Sequence, residues 1–207
     1  NMNPQELVDR IHNQNSYKHR ILYYGPSSSK DLLATINQYH QVPATLKDIP
    51  AGNEYAYLET PVTKVLVAPY DAKQIYMAQI SNLDKKYDPA IEPIRALYDE
   101  YFGGGMNSIV FQEMRETRGL AYSAWASIMP PSYLKYPYVL RTQIATQNDK
   151  MIDAVTTFND IINNMPESEA AFKLAKDGLT NRLRTERIIK GDIIWSYINA
   201  QDLGQNV

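Results

Sequence analysis

His12, His19 and His40 are the residues of this chain best suited to metal binding or acid–base work, and their spacing argues against both. A zinc site carried on one helical face is written His-x-x-Glu-His, two imidazoles with a glutamate between them as general base. None of the three histidines has a glutamate three residues on or a second histidine four residues away. His12 falls late in an expected helix, His19 at the start of an expected strand and His40 at a helix end, places where histidine serves as a surface or capping residue. The chain has no cysteine, so thiolate ligands and a disulfide framework are both excluded. A Gly-x-Ser-x-Gly elbow is missing, and no lysine follows a glycine loop in the manner of a phosphate-binding P-loop. Gly103-x-Gly105-x-x-Ser108 fails the dinucleotide pattern at its last position and lies between helices. By itself the chain carries no recognisable catalytic apparatus.

The most informative stretch runs from Tyr101 to Ser123, Tyr-Phe-Gly-Gly-Gly-Met-Asn-Ser-Ile-Val-Phe-Gln-Glu-Met-Arg-Glu-Thr-Arg-Gly-Leu-Ala-Tyr-Ser. Gly103 to Gly105 are expected to take left-handed backbone, ending one helix and letting the chain double back. Asn107 or Ser108 then caps a short helix that offers Ile109, Val110, Phe111 and Met114 to a core. Gly119 stops that helix after a charged turn, and an extended run begins at Leu120. This block resembles the signature of the C-terminal, non-zinc repeats of pitrilysin/insulinase-type (inverzincin) zinc peptidases, which include the mitochondrial processing peptidases. Phe111 to Ser123 follow the family's Phe-Gln-Glu-x-Arg-Glu-x-Arg-Gly-Leu-Ala-Tyr-Ser almost letter for letter, and a weaker resemblance in element order covers most of residues 50 to 203.

The resemblance implies roles for Arg115 and Tyr122. In such peptidases an arginine and a tyrosine at these two places reach across a closed chamber and contact the peptide substrate. The chemistry of both side chains suits substrate contact. A guanidinium presents a fixed fork of donors to a carbonyl or carboxylate. A tyrosine hydroxyl is a compact neutral donor for an oxyanion. A plainer reading also fits the residues. Arg115 would be a cation in a last helical turn, paired with Glu113 or Glu116 and favoured by the helix dipole. Tyr122 would be a packed strand residue alternating with Ala124, Ala126 and Ile128.

Composition excludes several other classes. Hydrophobic residues at 44% and charged ones at 21% are those of a soluble globular protein, and 207 residues suffice for one good-sized core. A net charge of −2 gives no footprint for nucleic acid. No apolar run is long enough to span a bilayer. The basic residues between Lys173 and Lys190 are interspersed with Asp177 and Glu186, which reads as a solvated helix face. Sixteen tyrosines against four phenylalanines suggest half-buried sheet surfaces. The compartment is not encoded here; a signal lying upstream would export the protein, for example to a periplasm.

In chain order, a helix is expected from Asn3-Pro4 to His12, a β-rich run from His19 to Tyr24, and a helix from Ser28 or Ser29 to His40. Strands follow at 54–59, 64–68 and 74–81. Asp88-Pro89 should open a helix with Ile91, Ile94, Leu97, Tyr98 and Tyr101 on one face. Strands are expected at 123–129 and 136–147, the second with Tyr136, Tyr138, Leu140 and Ile144 on one side. Asn148 or Asp149 caps a helix with the stripe Met151, Val155, Phe158 and Ile162. Ser168 caps another with Phe172, Ala175, Leu179 and Leu183, and a last helix runs from Gly191-Asp192 to Gly204. This order predicts an α+β fold, a mainly antiparallel sheet with helices packed on one face, a pitrilysin/processing-peptidase-like half-repeat. Residues 1–42 read as the tail of a preceding repeat, 43–52 as a linker, and 53–207 as a C-terminal non-catalytic domain truncated at its end.

Taken with the resemblance, these features imply the chamber-closing, peptide-binding part of a zinc metalloendopeptidase acting on peptides or small proteins. Zinc would sit in an upstream catalytic repeat or a partner subunit, and this segment alone would hold no cofactor and be inactive. The alternative is an inactive structural or peptide-binding subunit of the same ancestry. An exposed sheet edge further suggests that the isolated segment forms a weak homodimer.

Overall fold

A computed structural model describes residues 3–53, 55 and 57–205. The chain divides into two compact units, Asn1–Tyr55 with Ile188–Val207, and Ala56–Arg187. In the first unit, Asn3 accepts from the Glu6 N–H and Pro4 takes the first position of α1, Pro4–Asn13. A 3₁₀ turn, Gln14–Ser16, follows. Ser28 caps α2, Ser29–Tyr39, through the Asp31 N–H. The last helix of the chain, Gly191–Asp202, belongs to this unit too.

The expected strand at His19–Tyr24 does not form. A strand needs a ladder, and the only pairing nearby among the described residues is an isolated parallel bridge between Tyr17 and Lys47. The strands expected at 54–59 and 64–68 are likewise absent among the described residues; Glu54 and Ala56 lie outside them. Val65, Leu66 and Val67 are more than four-fifths exposed. Nearby, Thr60 accepts from the Asn82 N–H at 3.3 Å and the Leu58 carbonyl from the Asn82 amide at 3.2 Å. Side-chain tethers of this kind hold a segment beside a strand without making it one.

The second unit holds the α+β core, a three-stranded antiparallel sheet in the order β1-β3-β2. The strands are β1, Gln74–Lys86, β2, Ser123–Met129, and β3, Pro137–Gln147. Met77 and Ala124 both lie opposite Ile144, and Gln79 and Ala126 both lie opposite Thr142, so one sheet face is set by these rows. Between Asn82 and Lys86 the register shifts, with Asp84 at φ 51°, and β1 bulges there.

Helix α3, Glu92–Phe102, closes the free edge of β2. Asp99 accepts from the Ile128 N–H at 2.8 Å and the Ser127 hydroxyl at 2.9 Å. Arg95 donates to the Ile128 carbonyl at 3.0 Å and to Asp99 at 2.7 Å. Both backbone groups of Ile128 on that edge are thereby satisfied. Burial pushes the Asp99 carboxyl above its usual range, while the Ile128 N–H, the Ser127 hydroxyl and Arg95 pull the other way. On β3, Tyr138 donates to Glu92 at 2.7 Å; burial and that carboxylate push its phenol up to about 12.

The glycine triplet works differently from its sequence expectation. Gly103 sits at φ −140°, and the positive-φ glycines among the described residues are Gly119 and Gly204. A Cβ on Gly103 would collide with the backbone nitrogen and carbonyl of Ala126, and one on Gly104 would lie 2.8 Å from the Asp99 carbonyl. Glycine is needed at position 103 for close approach of helix to strand and at 104 for the tight end of α3, not for handedness.

Several helical stripes also differ from expectation. Asp88 caps a turn through the Ala90 N–H, so α3 begins at Glu92, leaving Ile94 exposed and turning Phe102 inward. In α5, Met151–Asn163, the buried residues are Ala154, Phe158 and Ile161. In α6, Glu169–Thr185, capped by Ser168, only Ala175 is fully buried, while Phe172 and Leu183 are exposed. Helix α6 packs against α3 and not against the sheet, so it buries only a narrow strip. The core is built from Phe102, Val110, Met114, Ile144, Ala154 and Phe158, each fully enclosed.

Candidate functional site

Ser108 accepts from the Phe111 N–H and caps α4, Ile109–Phe111, whose Ile109 and Val110 enter the core. The helix then widens into a π-helical segment, Gln112–Thr117. Such widening is rare and concentrates at functional sites. Here it has a local cause in hydrogen bonding. Met114 is fully buried, and its carbonyl accepts from both the Leu120 N–H at 2.8 Å and the Ala121 N–H at 3.2 Å. Gly119, at φ 57°, supplies the left-handed residue that lets the chain fold back onto that carbonyl.

The corner that results is strapped from outside. Lys150 donates to the Gly119 carbonyl at 3.1 Å, Thr146 donates to the Leu120 carbonyl, and the Tyr122 N–H donates to the Ala145 carbonyl at 2.9 Å. Backbone positions 115 and 122 are therefore fixed against each other by the anchor at Met114 and the pairing to β3.

The side chains at those positions meet. The Arg115 guanidinium lies 5.8 Å from the centroid of the Tyr122 ring and 5.1 Å from that of Phe111, so it is held between two aromatic faces. Its ion-pair partner is Glu116, at 3.6 Å, beyond hydrogen-bond length and exposed on both sides. Glu113 is engaged instead by Arg118, at 3.3 Å. The Tyr122 ring is 71% exposed and lies one residue before β2, outside the core row formed by Ala124 and Ala126. A forked cation and a phenol thus share one open corner on a stiff backbone, an arrangement able to grip a peptide carbonyl or carboxylate.

Among the described residues no three histidine, aspartate or glutamate side chains converge as a metal site. Two features have no counterpart in the sequence expectations. One is the π-helical widening that precedes the fold-back onto the Met114 carbonyl. The other is the meeting of His19 with His40, whose Nε2 atoms approach to 2.7 Å. A β-rich run beginning at one histidine and a helix ending at the other was the available signal.

Residues 21–179 match the family model described as Peptidase M16 inactive domain. The chain belongs to this family. It is an α+β, pitrilysin-like, non-catalytic metallopeptidase domain, in agreement with the resemblance carried by Phe111 to Ser123. Solved structures similar in fold include a protease from Helicobacter pylori, at 14% identity and TM-score 0.57, covering 86% of this chain and 44% of the other. The periplasmic protease PqqL from Escherichia coli is similar at 15% identity and TM-score 0.59, covering 87% and 20%. A conserved protein from Enterococcus faecalis is similar at 18% identity and TM-score 0.52, covering 84% and 40%. The chain thus spans less than half the length of each of these structures. No curated protein matches it. Within the described part of this M16 inactive domain, no helix is long and apolar enough to cross a membrane.

Proposed function

We propose that this domain closes the chamber of a zinc metalloendopeptidase of the pitrilysin type and holds peptide substrate with Arg115 and Tyr122. The observation that carries the proposal is the convergence of these two exposed side chains on one strapped corner, inside the block Phe111 to Ser123 that resembles the family signature. Residues 1–42 would end a preceding repeat, 43–52 would link the two, and 53–207 would form the substrate-holding repeat.

The zinc that the family implies finds no ligand set among the described residues, where no three-ligand cluster forms, and the sequence lacks the helical histidine motif. It would belong to an upstream catalytic repeat, where it would supply the activated water for peptide hydrolysis. This domain's contribution is to bind and orient. Arg115 gives two parallel donors to a peptide carbonyl or terminal carboxylate, and loses little by releasing its loose pair with Glu116. Tyr122 offers a hydroxyl to the carbonyl oxygen as it gains charge.

Arg115→Ala in the full-length protein tests the binding half of this proposal. Because the guanidinium grips substrate before and during reaction alike, its loss should raise KM by roughly tenfold while changing kcat little. Steady-state cleavage of a quenched fluorescent peptide measures both. An unchanged KM, or a KM that rises only together with a lowered melting temperature, means that Arg115 is a surface cation of the turn.

A further inference from the structure

His19 and His40 stand 21 residues apart in sequence and belong to the same compact unit. Their Nε2 atoms are 2.7 Å apart, and the rings meet edge to face at 86°. Each is fixed by backbone. His40 ends α2, its N–H donating to the Ile36 carbonyl at 2.8 Å, and His19 follows the Tyr17–Lys47 bridge by two residues. The Nδ1 of His19 lies 2.6 Å from the Tyr17 carbonyl. A carbonyl only accepts, so that nitrogen carries the proton and the Nε2 of His19 presents a lone pair.

We propose that His19 and His40 form a two-imidazole site for a divalent transition metal, with Cu(II) the preferred ion, independent of the peptidase reading. Three observations carry the proposal. First, a histidine whose second nitrogen donates to a backbone carbonyl is the usual arrangement of a metal ligand, and His19 already has it. Second, a proton shift in neutral His40 from Nε2 to Nδ1 gives the second lone pair with no net change in charge. Third, the spacing places both nitrogens within reach of one ion. With metal–nitrogen bonds of about 2.0 Å, two nitrogens at right angles stand about 2.8 Å apart, and two in a tetrahedral site about 3.3 Å. The observed 2.7 Å is the length of a hydrogen bond between the two rings and lies close to both spacings, so a small turn of each ring brings both nitrogens onto one ion. Water would complete the coordination. Cu(II) also leads the divalent series in intrinsic affinity for such ligands. Bound metal would clip the run after Tyr17 to the end of α2, stabilising this unit by mass action.

The test is a Cu(II) titration of the full 207-residue chain, followed by calorimetry and by electron paramagnetic resonance, with His19→Gln, His40→Ala and His12→Ala beside it. The expected result is one ion per chain, with hyperfine structure from two nitrogens and a raised melting temperature. Either His19→Gln or His40→Ala should weaken binding by roughly tenfold or more, while His12→Ala leaves it unchanged. Both variants keep the backbone bonds of the parent, and their circular dichroism shows whether the fold is retained. Binding that persists undiminished in His40→Ala, a one-nitrogen spectrum in the parent chain, or no binding at all overturns the proposal, leaving the pair as a hydrogen bond between two surface imidazoles.

Discussion

If this domain holds substrate as proposed, Tyr122→Phe in the full-length protein is expected to lower kcat for peptide cleavage by roughly a hundredfold or more, with metal content and melting temperature unchanged. The substitution removes one hydroxyl and nothing else. The ring keeps its place beside the Arg115 guanidinium, and the backbone bond to Ala145 does not involve the side chain. Because the ring is 71% exposed, the fold does not depend on what its hydroxyl touches. A donor aimed at a developing oxyanion acts more strongly in the transition state than in the ground state, so its loss appears in kcat. Full activity would make Tyr122 a spectator. Joint loss of activity and stability would return it to a packing role.

The second large effect is on stability. Phe102→Ala should destabilise the domain by about 3–5 kcal/mol, a large part of the total for a domain of this size. Phe102 is fully buried and stacks on Tyr98 at 5.2 Å. It follows directly before Gly103, at the point where α3 meets the backbone of β2, so the cavity cannot close by a shift of the helix. Urea unfolding followed by tryptophan fluorescence should show a lowered midpoint at an unchanged slope. A midpoint within error of the parent would mean that the α3–β2 junction is not the centre of this core.

Much of the local structure was legible because its causes are local. Ser108 and Ser168 each sit where a hydroxyl can accept from the N–H three residues on, and each caps a helix there. Gly119 is legible as a helix stop for the same reason, and it carries the positive φ. Strand β2 ends where Pro130-Pro131 denies it further donors. Features that depend on a distant partner were not legible. Val65 to Val67 have the β-branched character of a strand, yet β1 does not pair with them. The glycine of Gly103 is explained by Ala126, which lies 23 positions along the chain, and no inspection of the triplet alone reveals that. The site shows the same division. Arg115 and Tyr122 could be named from the block around them, whereas the straps from Ala145, Thr146 and Lys150 that hold their corner come from distant positions in the chain.

Photocrosslinking from position 122 tests most directly whether this domain touches substrate. The full-length protein carries p-benzoylphenylalanine in place of Tyr122, and a chelator is added to remove any catalytic metal so that peptide is bound but not cut. Irradiation with a labelled peptide, followed by mass spectrometry, locates the adduct. The same probe in place of Leu183, an exposed residue of α6, reports random collision. If the domain holds substrate at this corner, an adduct forms at position 122 that unlabelled peptide displaces, and none forms at position 183. Equal labelling at both positions, or none at 122 while the peptide is demonstrably bound, would contradict substrate contact by this domain.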